Sequence, residues 1–320
     1  MPAVQPPASV LVTGVSGFSG AWIARALLQN GYAVRGTVRS EAKAKYVSEL
    51  FKEFGDKFKA VIAGVAELGR SNASEIFGPN TDGVVNLLQS TLRKGKNVKR
   101  FVYMSSAQAM LGNEDIFHVY TEDDWAEKDL ALAREKGGEA GGVALYRASK
   151  VLAERAIVDF VESHKGEIGW DATRLLPAWI FGPVIHDWKK FDDLNLSSKL
   201  LYQHLTTPRD DDKVNEYGSD WIDVRDVADA FVAALKVEEA GNQRFILDAG
   251  AYTYQNLYDA VHATAPDLKG VVRGNPNAPP FSFPGPFCDP SKTKRILGIK
   301  EFRPLGECAV DTYKSIQAKL

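Results

Sequence analysis

The chain has 320 residues, of which 45% are hydrophobic and 25% charged, enough for one large α/β domain or two unequal lobes. A mean hydropathy of -0.21 excludes a disordered chain or a bundle of membrane spans. Lys+Arg at 39 against Asp+Glu at 41 leaves a net charge of -2, which provides no basic face for nucleic acid.

No stretch of about 18 apolar residues could span a bilayer. Met1 to Ser9 is Pro-rich and lacks the basic start and apolar run of a signal peptide. Cys288 and Cys308 are the only cysteines, too few for a disulfide framework. These features predict a soluble, cytoplasmic protein with no nucleic-acid or membrane partner.

In chain order, Val10 to Thr13 predicts a short strand ending in a Gly-rich turn. Ala21 to Asn30 follows as a helix, with Ile23, Ala26 and Leu27 on one face and Gly31 as its stop. Ala33 to Arg39 is a second strand, Glu41 to Phe54 an amphipathic helix and Phe58 to Ala63 a third strand. Val84 to Arg93 reads as helix, and Arg100 to Met104 as a strand that runs into Ser105 and Ser106. Gly112 to Gly142 reads as loop with some helix, Leu145 to Val161 as helix and Asp171 to Leu176 as strand. Strands alternating with helices imply βαβ units and a parallel sheet covered on both faces. The second half is broken by Pro177, Pro183, Pro208 and the tract from Gly274 to Pro290. Its clearest elements are a strand at Arg244 to Leu247 and helices at Tyr254 to Ala263 and Leu305 to Ala318.

Three groups of residues carry chemistry. Gly14, Gly17 and Gly20, with Ser16, Phe18 and Ser19 between them, stand between the first strand and the first helix. Glycines there allow a tight turn and close approach to a pyrophosphate, and the helix start supplies free N–H groups. At the end of the second strand stands Arg39, where a cofactor with a free ribose 2′-hydroxyl would want an acid. A cation there suits a 2′-phosphate, hence NADP(H), and Lys43 could assist from the following helix. Tyr146 and Lys150 lie four residues apart on one helix, so the ammonium can stabilise a phenolate. No pair among the five histidines has metal-ligand spacing with a partner carboxylate, so no metal site is expected.

In order and spacing these residues resemble the short-chain dehydrogenase/reductase superfamily, and its extended (atypical) branch in particular. Thr13 to Gly20 matches that branch's TGxxGFxG form. Tyr103 to Ser106 with Tyr146 and Lys150 resembles its Ser-Tyr-Lys triad. Within the branch the chain resembles the dihydroflavonol reductase/cinnamoyl-CoA reductase group and the yeast and fungal methylglyoxal/carbonyl (aldehyde/ketone) reductases. Val34 to Arg39, Trp221 to Ala228 and Asp289 to Gly298 carry that likeness. The resemblance implies a Rossmann-type doubly wound parallel sheet with a smaller C-terminal substrate-binding lobe. It divides the chain into 1–176 plus about 220–250 for NADP, and 177–219 plus 251–320 for substrate. It also implies NADPH-dependent reduction of a small-molecule carbonyl by a monomer or homodimer. Ser106 would bind the carbonyl, Tyr146 would donate the proton, Lys150 would tune Tyr146 and hold the ribose, and Pro177 would flank the nicotinamide. An NAD(P)-dependent sugar-nucleotide epimerase/dehydratase and a non-catalytic dinucleotide sensor are the alternatives, opposed by Arg39 and by the Tyr/Lys pair respectively.

Two departures stand out. Gly64-Val65 replaces the acid the family carries after its third strand, leaving Val65 an apolar adenine contact at most. Leu145 and Arg147 flank the tyrosine in place of the plant cinnamoyl-CoA reductase signature. Moreover, Gly64 to Pro79 holds no run of four apolar or β-branched residues, although a doubly wound sheet needs a strand in that interval. The expectation is a chain roughly 30 residues short of the family plan, by ordinary element lengths, with a segment omitted somewhere between Gly64 and Asn80.

Overall fold

The alternating pattern folds as βαβ units, and a computed structural model describes residues 3–63, 78–112, 117–211, 213–277 and 288–320. Val65 and residues 64–77 of the interval in which a segment was expected to be missing lie outside the described residues.

Strand β1 (Ser9–Val12) leads through the glycine turn into α1 (Phe18–Gln29), which buries Phe18, Ala21, Ile23, Ala24, Leu27 and Leu28. Helix α1 stops where Gly31 takes a φ of 88°, a left-handed value that glycine adopts freely. β2 (Ala33–Val38) pairs parallel with β1, and β3 (Phe58–Ile62) parallel with β2. Between them α2 (Glu41–Leu50) is capped by Ser40, whose hydroxyl accepts from the Lys43 N–H. The predicted helix to Phe54 is shorter than expected, because a separate 3₁₀ turn over Lys52–Lys57 bends at Gly55.

Helix α3 (Gly78–Lys94) precedes β4 (Arg100–Met104). α4 (Glu127–Lys136) lies within the acidic, Gly-rich stretch. α5 (Gly142–Ser163) then leads to β5 (Asp171–Pro177), parallel to β4 with Arg100 opposite Asp171. The second half holds more regular structure than its prolines suggested. β6 (Trp179–Phe181), α6 (Leu196–Thr206), β7 (Tyr217–Asp223), α7 (Val224–Lys236) and β8 (Arg244–Leu247) follow in turn. β9 (Ala251–Thr253), α8 (Tyr254–Thr264), α9 (Ser291–Leu297) and α10 (Leu305–Gln317) complete the order. β8 pairs parallel with β5, whereas β6, β7 and β9 form a separate small sheet.

The main sheet comes in two halves, β1-β2-β3 and β4-β5-β8, and among the described residues no ladder joins β1 to β4. β5, with a neighbour on each side, is buried at all seven positions, as interior parallel strands are. β1 is not: Leu11 is 57% exposed.

The second half-sheet is tied down at its entrance by a buried ion pair. Arg100 Nε and Nη2 donate to Asp171 at 2.6 and 2.8 Å, and the same guanidinium donates to the carbonyls of Ala234, Val237 and Glu238. It thereby serves the last turn of α7, whose final carbonyls have no helical partner. Asp171→Ala leaves this cation buried and uncompensated, which costs about 3–5 kcal/mol. The expected result in a denaturant titration is a lower midpoint at unchanged slope; an unmoved midpoint would contradict it.

Candidate active site

The turn from β1 to α1 fits a pyrophosphate. Gly14 has a φ of 66°, and its N–H donates to Thr37 Oγ1 at 3.1 Å. A Cβ on Gly20 would lie 2.4 Å from the Gly14 carbonyl oxygen, so the turn closes only with glycine there. The N-cap of α1 is Gly17, with no side chain accepting from the first-turn N–H groups and no acid in that turn. Those donors, together with the positive end of the helix dipole, point into a large cavity that Gly14, Ser16, Gly17, Phe18, Ser19 and Gly20 line. Gly20→Ala should therefore reduce cofactor affinity and lower Tm together. A variant that binds the dinucleotide as tightly as the parent would contradict the tight-turn reading.

Arg39 and Lys43 line the same cavity at the end of β2 and the start of α2. They differ in environment. Arg39 is exposed at the strand end, whereas Lys43 Nζ lies 3.2 Å from Asp187 Oδ2, held rather than solvated. His186, next to that aspartate, meets Phe18 edge-on at 5.7 Å and is pushed down to about 4 by burial and then by Lys43. It is neutral at pH 7. Nothing in the local sequence marks His186 or Asp187, because they reach this end of the cavity from the far half of the chain.

At the other end of the cavity stand Ser106, Tyr146, Lys150 and Pro177. Lys150 Nζ lies 5.6 Å from the Tyr146 ring centroid and 5.8 Å from that of Tyr103. Burial lowers the Lys150 ammonium, while the charge of Glu154 works against that shift. Tyr146 is 45% exposed, so its hydroxyl is open to a substrate. The two serines divide their tasks. Ser105 Oγ donates to Glu154 Oε1 at 2.6 Å inside the protein, and Ser106 accepts from the Gln108 N–H at the mouth.

Glu154 is fully buried and also accepts from Arg244 Nε at 2.8 Å. It stands one turn beyond Lys150 on α5, and the spacing Tyr146, Lys150, Glu154 was legible as i, i+4, i+8 without indicating its role. Arg147 is occupied by Gln108 and Asp129, so it contributes no free cation to the mouth. Among the aromatic residues near the mouth, Trp179 lines the cavity, whereas Phe181 and Trp188 belong to the core. Phe281, Phe283 and Phe287 lie outside the described residues.

A pair of carboxyls lies behind the mouth. Asp220 is pushed up to about 7 by burial and then by Asp248, and Asp248 up to about 6 by burial. The folded protein therefore holds a proton that an unfolded aspartate releases near pH 4. Stability contributed by that proton is lost as pH rises from about 4 to 7. Asp220→Asn should remove much of this slope, raising Tm more at pH 8 than at pH 4. Equal shifts at both pH values would contradict the assignment.

Glycines at a β1–α1 turn, a cation at the β2 end and a Tyr/Lys pair opposite define a dinucleotide-binding enzyme of the Rossmann class. The profile of the NAD dependent epimerase/dehydratase family matches residues 10–250, and the chain belongs to that family. It is 32% identical to an uncharacterised oxidoreductase of Schizosaccharomyces pombe, covering 96% of each chain. It is 28% identical to the NADPH-dependent methylglyoxal reductase of Saccharomyces cerevisiae, over 96% of this chain and 98% of that one. The crystal structure of yeast methylglyoxal/isovaleraldehyde reductase complexed with NADPH superposes with a TM-score of 0.80 at 25% identity, covering 98% of this chain and 100% of that one.

Among the described residues no group of three His, Cys, Asp or Glu side chains could hold a metal ion. No helix among them is long and apolar enough to cross a membrane.

Proposed function

We propose that this protein reduces uncharged aldehydes and ketones to alcohols with NADPH. The observation that carries the reading is the placement of Lys150 against the exposed Tyr146, across one cavity from the α1 N-terminus and Arg39. The α1 N–H groups hold the pyrophosphate, and Arg39, with Lys43 behind it, pairs with the 2′-phosphate. When bound, the cofactor supplies a hydride to the carbonyl carbon. Ser106 donates to the carbonyl oxygen and fixes its direction. Tyr146 delivers its proton to that oxygen as negative charge develops there, and Lys150 stabilises the phenolate left behind. Glu154 keeps Lys150 charged against the burial that would neutralise it. Pro177, at the end of β5, lines the cavity where it would flank the nicotinamide.

The substrate lobe, 177–219 with 251–320, supplies the mouth. Val143 from α5, with Trp179 and Leu196 from this lobe, lines the cavity at 63, 38 and 67% exposure, an apolar rim suited to moderately bulky, uncharged carbonyls. The test is a panel of aldehydes and ketones with NADPH consumption as readout. Turnover of apolar carbonyls supports the reading. Turnover confined to phosphorylated or carboxylated carbonyls would contradict the apolar rim.

A further inference from the structure

Residues 182–195, between β6 and α6, run back along the helices that frame the glycine turn, and side chains of α1 and α2 hold them there. Trp22 Nε1 donates to the Pro183 carbonyl at 2.8 Å, and the Tyr46 hydroxyl donates to the Ile185 carbonyl at 2.8 Å. Lys43 Nζ donates to Asp187 Oδ2 at 3.2 Å. From α10, Ser315 Oγ accepts from the Val184 N–H at 2.9 Å. Bonded at Pro183, Val184, Ile185 and Asp187 in turn, this stretch holds the Asp187 carboxylate in a set position. The effect reaches Tyr46, whose hydroxyl is raised by burial and then by the charge of Asp187.

His186 does not neutralise that charge. It is 6% exposed, and burial, then Lys43 and Lys319, keep its imidazole uncharged at pH 7. Lys43 is therefore the one cation within ion-pair distance of Asp187 among the described residues. Both side chains are part-exposed, at 39% for Lys43 and 28% for Asp187, and an ion pair of that exposure is weak enough to exchange partners. Arg39, Lys43 and Asp187 line one end of the same cavity. A phosphate dianion arriving at Arg39 attracts Lys43 as well, but it meets the Asp187 carboxylate beside that ammonium as a like charge.

We infer that Asp187 is a specificity-determining residue that opposes the 2′-phosphate. It competes for Lys43 and holds the preference for NADPH over NADH below what Arg39 and Lys43 would give without it. The inference rests on the reading of those two cations as the partners of the 2′-phosphate. A free 2′-hydroxyl carries no charge and makes no demand on Lys43, so the Lys43–Asp187 pair stays intact when NADH binds. The carboxylate thus acts on one cofactor and not the other. Because affinity differences within one site fall mainly on dissociation, it also speeds the departure of NADP⁺, which carries the same phosphate.

The experiment measures dissociation constants of NADPH and NADH by nicotinamide fluorescence, without a carbonyl substrate, for the parent, Asp187→Asn, Lys43→Met and the double variant. Asp187→Asn is expected to tighten NADPH by about threefold to tenfold and to leave NADH within about twofold. The gain should shrink as salt is raised. In the Lys43→Met background it should fall below about twofold, because no ammonium remains to compete for. Weaker NADPH binding in Asp187→Asn would overturn the inference, since the carboxylate would then be positioning Lys43 for the phosphate. Equal tightening of both cofactors, or a full gain that persists without Lys43, would overturn it too. If the parent prefers NADPH and Asp187→Asn leaves that preference unchanged, this inference falls and the 2′-phosphate reading stands. If parent and Asp187→Asn both bind the two cofactors equally, the 2′-phosphate reading falls and takes the inference with it.

Discussion

Tyr146→Phe is expected to lower kcat by about 10²–10⁴ while leaving the NADPH dissociation constant within about twofold. The substitution deletes one hydroxyl from a side chain already 45% exposed, so no core contact and no buried partner is lost. Lys150 still faces an aromatic ring, and the glycine turn after β1 lines the cavity away from it. Only the proton supply to the carbonyl oxygen changes. Single-turnover reduction of a good aldehyde, with cofactor binding followed by fluorescence, separates the two quantities. Wild-type kcat in this variant would remove Tyr146 from the role of acid.

Arg39→Asp should shift the preference for NADPH over NADH by about 10²-fold or more. A charge-assisted hydrogen bond contributes about 1.5–3 kcal/mol, and the substitution also places a carboxylate beside the 2′-phosphate. The contrast with Lys43 sharpens the expectation. Lys43 is shared with Asp187, whereas no ion pair holds Arg39 among the described residues, so Arg39 is the cation free to receive the ligand. The ratio of kcat/KM for the two cofactors is the measurement. An unchanged ratio would make Arg39 an ordinary surface residue.

Much of this was legible from local pattern. The strands Ala33 to Val38 and Arg244 to Leu247 and the helix bearing Tyr146 and Lys150 are written in consecutive residues, through period, caps and glycine stops. The tight turn between β1 and α1 was equally clear, because the constraint on Gly20 arises within six residues of Gly14. What sequence reading missed depends on distance along the chain. The helix α7 and strand β7 are built from ordinary residues between prolines, and β7 is buried by a β9 partner some thirty residues away. Glu154 and Asp220 look like surface carboxylates until Ser105, Arg244 and Asp248 are brought beside them. Lys43 reads locally as a helper of Arg39 on the helix that follows, and its partner Asp187 lies 144 residues on.

The reaction itself is tested most directly by isotope transfer. With NADPH deuterated at the transferring position of nicotinamide C4 and an aldehyde or ketone substrate, each turnover should place one deuterium on the carbinol carbon of the alcohol and consume one NADPH. Absence of label from that carbon, or activity only on a sugar nucleotide with NAD and no net cofactor consumption, would contradict a carbonyl reductase.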